Sequence, residues 1–296
     1  MNQEIENCWR FSSYNKISLA SHGSETRSWA KSGFLFVHKM ASPMRNIKLT
    51  IEYEGTNYHG WQIQQNALSI QQIIQDALSK ITNSEVTLIG AGRTDAGVHA
   101  LGQVANFHTD SSMPPDAFQK GLNSTLPKDI VILKAEEVDD TFHSRYSAIS
   151  RVYHYTILNR DYPSAFARNL AYFVRRHLNV SNMAAMSEIL VGTMDFSSFQ
   201  RTGSSRENPI CTMSEARCWR EGDFVYLRFE ADSFLRGMVR AIVGTILKLN
   251  QKPDAIAYLQ EILDLRNRSA AASSAPARGL YLMEVKYLSH LRAIKS

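Results

Sequence analysis

From residue 45 onward, two apolar periods take turns along the chain. In "NIKLTIEY", Ile47, Leu49, Ile51 and Tyr53 alternate with Lys48, Thr50 and Glu52, the period-two pattern of a strand with one buried face. In "SIQQIIQDALSKI" the period lengthens: Ile70, Ile73, Ile74, Ala77, Leu78 and Ile81 form one helical stripe. Ser69 and Gln72 make a capping box at its start. Short strands are predicted at "VTLIG" and "GQVANF", on either side of a glycine-rich stretch.

A second unit then repeats this order. "RVYHYTIL" (151–158) reads as a strand. "SNMAAMSEILVG" reads as a helix closed by Gly192. "DFVYLRFEA" (223–231) is a further alternating strand, and "FLRGMVRAIVGTILKL" a long apolar helix with Arg236 and Arg240 on one face. Pro253 suits the first turn of another helix running to about Leu265. "SAAASSAPARG" reads as a flexible linker before a last strand, "LYLMEVKYL". Strands and helices mix without strict alternation, which predicts an α+β fold of two similar sheet-based halves, 45–148 and 149–290, with a ligand cleft between them. Residues 1–44 read as an extension outside this fold, because 1–39 hold seven serines and no apolar period.

Composition narrows the picture modestly. The chain of 296 residues is 44% hydrophobic, enough for a substantial core, and its net charge of +5 is compatible with an anionic partner such as RNA. Three cysteines, Cys8, Cys211 and Cys218, form no C-x-x-C pair. Disulfide scaffolds and structural zinc are therefore disfavoured, and a reducing, cytoplasmic setting is expected. No apolar run is long enough for a membrane helix, so no membrane partner is expected.

The densest candidate chemistry is "GAGRTDAGVHA", Gly90 to Ala100. It is not a P-loop, because no G-K-[ST] follows, and Asp95 stands where a dinucleotide fingerprint needs its third glycine. Asp95 suits a turn or a helix N-cap. It also suits catalysis: a carboxylate with an ordinary pKa of about 3.9 is ionised at neutral pH. Arg93 two residues earlier suits a phosphate, and glycines let a ligand backbone approach. An acid in that setting can act as nucleophile or base. Zincin and nucleophile-elbow motifs are absent from the sequence.

"GAGRTDAGVHALGQVANF" resembles the signature of the TruA family of tRNA pseudouridine synthases. "NYHGWQIQ", "LNSTLPKDI", "FHSRYSAISRVYHYTI", "DFSSFQ", "FLRGMVRAIVG" and "ARGLYLMEV" resemble further blocks of that family, in its order, so the resemblance spans about residues 45–288. It implies a pseudouridine-synthase-like fold with a central, largely antiparallel sheet. It implies a homodimer, no cofactor and no metal. The implied reaction turns uridine into pseudouridine at positions 38, 39 and 40 of the tRNA anticodon stem-loop. Asp95 then carries the chemistry on a flipped nucleotide, as nucleophile or as base at C2′. Tyr153 matches the family's active-site tyrosine and stacks on the uracil. Arg240 is expected to pair with Asp95. Arg93 is expected to grip a phosphate or to hold the space left by the flipped base, and Arg145 and Arg206 match positions that contact tRNA. After Arg206 the sequence departs from the family pattern, with Glu-Asn-Pro in place of Thr-Pro. His59 and His99 are candidate RNA contacts, though a lone histidine is more often structural. The rival reading is a catalytically silent RNA-binding protein of the same fold.

Overall fold

The computed structural model describes residues 44–203 and 207–288. The expectation for residues 1–39 and the RNA-contact role of Arg206 lie outside the described residues.

Among the described residues ten strands form one sheet: β1 (Arg45–Tyr53), β2 (Ile89–Gly90), β3 (His99–Thr109), β4 (Ile130–Val138), β5 (Ala148–Leu158), β6 (Tyr172–Phe173), β7 (Gly192–Asp195), β8 (Ile210–Glu221), β9 (Phe224–Ala231) and β10 (Leu280–Tyr287). Their order is β4-β1-β3-β10-β5-β9-β8-β7, with β2 beside β3 and β6 beside β5. Five α-helices accompany them among the described residues: α1 (Ile70–Thr82), α2 (Pro115–Thr125), α3 (Val180–Glu188), α4 (Met238–Leu249) and α5 (Ala255–Asp264). The expected α+β class and the largely antiparallel sheet are both present; the parallel pairings are β3 with β10 and β5 with β6. Strands before residue 139 build one flank and those after residue 147 the other, joined where β10 returns to β3. That junction is tight. A Cβ on Gly102 would lie 2.3 Å from the Met283 carbonyl oxygen, so only glycine fits there without a shift.

The apolar face of β1 is buried as period two predicts, with Ile47, Leu49 and Ile51 fully buried, but the other face is partly covered too: Lys48 is buried and paired with Glu136 at 2.6 Å. In α1, Ser69 accepts the expected capping bond from the Gln72 N–H, but the Gln72 side chain turns to Asp76 instead of completing the box. Phe107 and Phe118 meet edge to face at 5.4 Å and seal α2 onto the sheet. Nine of the twelve residues of α4 are buried, which makes it the central helix of the second flank.

Four expectations need correction. "VTLIG" is a strand only at Ile89–Gly90, because side chains of α1 take over the backbone bonds of 86–88. Ser79 accepts from Val86 N–H, Gln75 accepts from Leu88 N–H, and Gln71 donates to the Leu88 carbonyl. α3 ends at Glu188, and Gly192 opens β7 rather than closing the helix. α4 begins at Met238 behind a left-handed Gly237 at φ 71°, so Arg236 precedes the helix and does not share a helical face with Arg240. "SAAASSAPARG" is packed, not loose: Ala271, Ala272 and Ala275 are buried, and the Tyr155 hydroxyl donates to the Pro276 carbonyl at 2.7 Å.

Candidate active site

Residues 91–98 connect β2 to β3, and their backbone is held from several sides. Ala91 N–H donates to the Val104 carbonyl, and the Gln103 amide donates to the Gly92 carbonyl. Trp61 N–H donates to the Thr94 carbonyl at 3.1 Å, and Gly97 N–H to the Tyr58 carbonyl at 3.2 Å. The Thr94 hydroxyl lies 2.8 Å from that of Tyr53. The "YHGW" segment therefore braces the loop. The glycines divide the labour differently from the sequence expectation. A Cβ on Gly90 would strike the Trp61 ring at 2.4 Å, so this glycine admits a protein side chain. Gly97 supplies a left-handed turn at φ 76°. Gly92 leaves open space, its virtual Cβ meeting only the Tyr153 hydroxyl at 3.9 Å.

Asp95 projects from this loop into a cavity of about 470 Å³, lined also by Arg201, Gly237, Arg240 and Arg268. The carboxylate comes from the first flank and the arginines from the second, so the cavity is the expected cleft. Arg240 Nη1 donates to Asp95 Oδ2 at 3.0 Å, with both side chains about one-fifth exposed. Arg240 is itself oriented, because its Nε donates to the Ala275 carbonyl at 2.8 Å and its own carbonyl accepts from Ala275 N–H. The packed small-residue segment thus serves as the backstop of the ion pair.

Tyr153 stands on β5 beside Gly92, with its ring edge-on to Phe234 at 5.0 Å. Burial, with the negative charge of Asp95 adding to it, pushes its phenol up to about 12, while Arg151 opposes the rise. The hydroxyl is therefore a neutral donor at physiological pH. Arg93 is exposed two residues from Asp95. Arg145 is exposed too, its guanidinium 5.5 Å from the Tyr146 ring centre, and its carbonyl accepts from Arg151 Nη2. Arg151 also donates to the carbonyls of Ala91 and Asp232. It ties the loop to the neighbouring strands, a role not legible in the sequence.

His99 is structural. Gly55 N–H donates to its Nδ1 at 3.0 Å, which leaves the proton on Nε2 to be donated to the carbonyls of Asn169 and Arg278. Burial lowers its pKa, against a raising pull from those carbonyls and Glu54. His154 is lowered as well, by burial and then by Arg228. Both histidines bind a proton more readily in the unfolded chain, where the value is about 6.5. Their contribution to stability is full above that value and falls as pH drops through the window below it. Unfolding by urea from pH 8 to pH 5 should show stability declining below about pH 6.5; a curve flat across that range would refute the assignment.

A second cavity of about 590 Å³ lies between α3 and β8. Of its two acids, Glu188 is exposed and Glu215 is already held by Arg217 and Arg228, at 3.1 and 2.8 Å. Among the described residues no three His, Cys, Asp or Glu side chains converge as metal ligands, and no helix is long and apolar enough to cross a membrane.

Comparison with known proteins decides what this geometry belongs to. The family model described as tRNA pseudouridine synthase matches residues 49–147 and 186–288. The chain belongs to the tRNA pseudouridine synthase family. Asp95 falls in the first matched segment and Arg240 in the second. Among similar proteins, tRNA pseudouridine synthase A of Acetivibrio thermocellus is 46% identical over 244 residues, which is 82% of this chain and 100% of that one. The protein of the same name from a Thermoanaerobacter species is 43% identical with the same coverage. tRNA pseudouridine synthase A 2 of Clostridium perfringens is 44% identical, again over 82% and 100%.

Proposed function

We propose that this protein isomerises uridine to pseudouridine in tRNA, at positions 38, 39 and 40 of the anticodon stem-loop, with Asp95 as the catalytic carboxylate. The observation that carries the reading is the Asp95–Arg240 pair at the wall of the cleft. Arg240 holds Oδ2, and Oδ1 has no hydrogen-bond partner among the described residues. One oxygen is oriented and the other is free to react.

The reaction breaks N1–C1′, turns the uracil and joins C5 to C1′, so the product is an isomer and no electrons are exchanged. The free oxygen can open it in two ways. It can attack C1′ and release uracil as the N1 anion, to be displaced later when C5 bonds to C1′. It can instead take the C2′ proton and return it after C5 has added to C1′. In both, the C5 proton is lost and N1 regains one. A base stacked in a stem must first be flipped out, at a cost of about a few kcal/mol. Tyr153, edge-packed and neutral, supplies a ring for stacking and a hydroxyl for hydrogen bonding. Arg93 and Arg145 supply cations for the RNA backbone.

The test uses tRNA tritiated at uridine C5. Release of tritium to water is expected from the wild type; intact tRNA binding without release would leave the RNA-binding reading in its place.

A homodimer is part of this proposal. The outer face of β5, β8 and β9 carries His154, Trp219, Phe224 and Tyr226, half-exposed and in mutual ring contact, with centroids 5.4 to 6.2 Å apart. Stacked aromatics on an open sheet face suit burial against a second copy. Sedimentation velocity should give twice the chain mass for the wild type and monomer for Trp219→Glu. A monomeric wild type would remove this part.

A further inference from the structure

The cleft is more positive than its chemistry requires. Asp95 neutralises one of the three arginines that line it, and Arg201 and Arg268 remain. Some arginines elsewhere find acids, as Arg45 does with Glu137, Arg160 with Asp223, Arg228 with Glu215 and Arg266 with Asp195, and others do not; what marks these two is that both line one cavity beside a carboxylate. Arg201 and Arg268 have no acidic partner among the described residues. Arg268 is half-buried, and a guanidinium taken partly out of water without a counter-charge is costly unless an anion completes it.

The Arg268 side chain and the Arg201 backbone are held in place. Arg268 Nη1 donates to the Ala272 carbonyl at 2.9 Å and to Ala271 at 3.4 Å. Its Nε and Nη2 are left without a protein acceptor among the described residues. Those two nitrogens form the side-on fork that fits two oxygens of one phosphate. Arg201 is anchored through its backbone, whose N–H donates to the Arg236 carbonyl at 2.9 Å. Its Cβ packs 3.3 Å from where a Cβ on Gly237 would stand, so a side chain at 237 would crowd it. Thr202 and Ser274 add hydroxyls to the same wall.

Two unpaired positive charges beside one carboxylate match a ligand with two separated single negative charges next to the reacting sugar. A nucleotide within an RNA chain has that pattern, since it is flanked by two phosphodiesters carrying one charge each. We propose that Arg201 and Arg268 form a phosphate clamp, each taking one of the two backbone phosphates that flank the target uridine. The proposal rests on the RNA-modifying reading above and adds to it a substrate-positioning site on the second flank. The clamp fixes the sugar from both sides, so C1′ faces Asp95 while the base is free to turn.

The test measures binding of an anticodon stem-loop RNA across a salt series. Arg201→Met and Arg268→Met should each weaken binding about tenfold and reduce the steepness of log Kd against log salt by about 0.7–0.9. Arg268→Lys keeps the charge and should restore most of the slope, which separates a lost phosphate contact from a disturbed 271–272 turn. In a second arm, a neutral methylphosphonate replaces the linkage on the 5′ or the 3′ side of the target uridine. Each replacement should weaken wild-type binding by the same factor and leave one of the two methionine variants unaffected, a different variant for each linkage. Unchanged slopes in both methionine variants would overturn the clamp, as would a neutral linkage that weakens each variant as much as the wild type. These readouts need no turnover. A wild type that shows them yet releases no tritium keeps the clamp and loses the isomerase.

Discussion

Asp95→Asn should abolish tritium release from C5-labelled tRNA, with turnover down by about 10⁴-fold or more, the scale seen when a reacting side chain is removed. The substitution isolates the chemistry. Asn keeps the shape of Asp, and its amide oxygen can still accept from Arg240 Nη1, which lies 3.0 Å from the carboxylate now. The loop is held by Tyr53, Tyr58, Trp61 and Gln103 rather than by the carboxylate. Its conformation should therefore survive, and tRNA affinity should stay within a few-fold of wild type. Loss of binding together with loss of turnover would instead mark Asp95 as a structural anchor of the loop. Retained turnover would remove it from the reaction.

How much of this was legible in the sequence depends on where each hydrogen bond goes. β9 alternates cleanly because one face is buried and its partners are backbone; β1 shows the same apolar alternation, although Asn46 and Lys48 on its other face are buried as well. Residues 86–88 carry the same apolar signal, but helix side chains satisfy their backbone, and no local pattern announces that. Gly237 reads as part of an apolar helix until its positive φ is known. The small-residue run 269–279 has a linker's composition, yet small residues are also what lets a segment pack closely behind α4 and present carbonyls to Arg240 and Arg268.

The cleft shows the same division. Asp95 and Arg93 stand out because they are polar residues in a run of glycine and alanine. The contact between Asp95 and Arg240 spans 145 positions and was legible only through resemblance. Arg201 and Arg268 carried no signal: single arginines near a loop and a helix end look like solvated charges until the fold turns them toward one cavity. His99 was a candidate RNA contact and is instead a buried post joining three segments.

Arg240→Met should lower turnover by about 10²-fold, the scale of a displacement of about 1 Å in a reacting group, while tRNA binding changes little. The expected reason is orientation: Asp95 keeps its carboxylate but loses the donor that fixes Oδ2. Stability should fall too, by about 2 kcal/mol. The fully buried case costs more, and these side chains are about one-fifth exposed. The loss has two parts. The carboxylate is left in a cavity without its partner, and the Ala275 carbonyl loses the Nε donor that now lies 2.8 Å away. A double-mutant cycle separates them. Adding Asp95→Asn to Arg240→Met removes the stranded charge, so the double variant should be more stable than Arg240→Met alone, and the stability it does not recover measures the Ala275 bond. Arg240→Lys provides the converse case. It restores a positive charge, but one ammonium cannot reach both Asp95 and Ala275 in the guanidinium's fixed geometry, so stability should recover further than turnover. If the lysine variant recovered turnover fully, charge alone would suffice and the orienting role would fall. If Arg240→Met left turnover unchanged, the ion pair would have no part in the reaction.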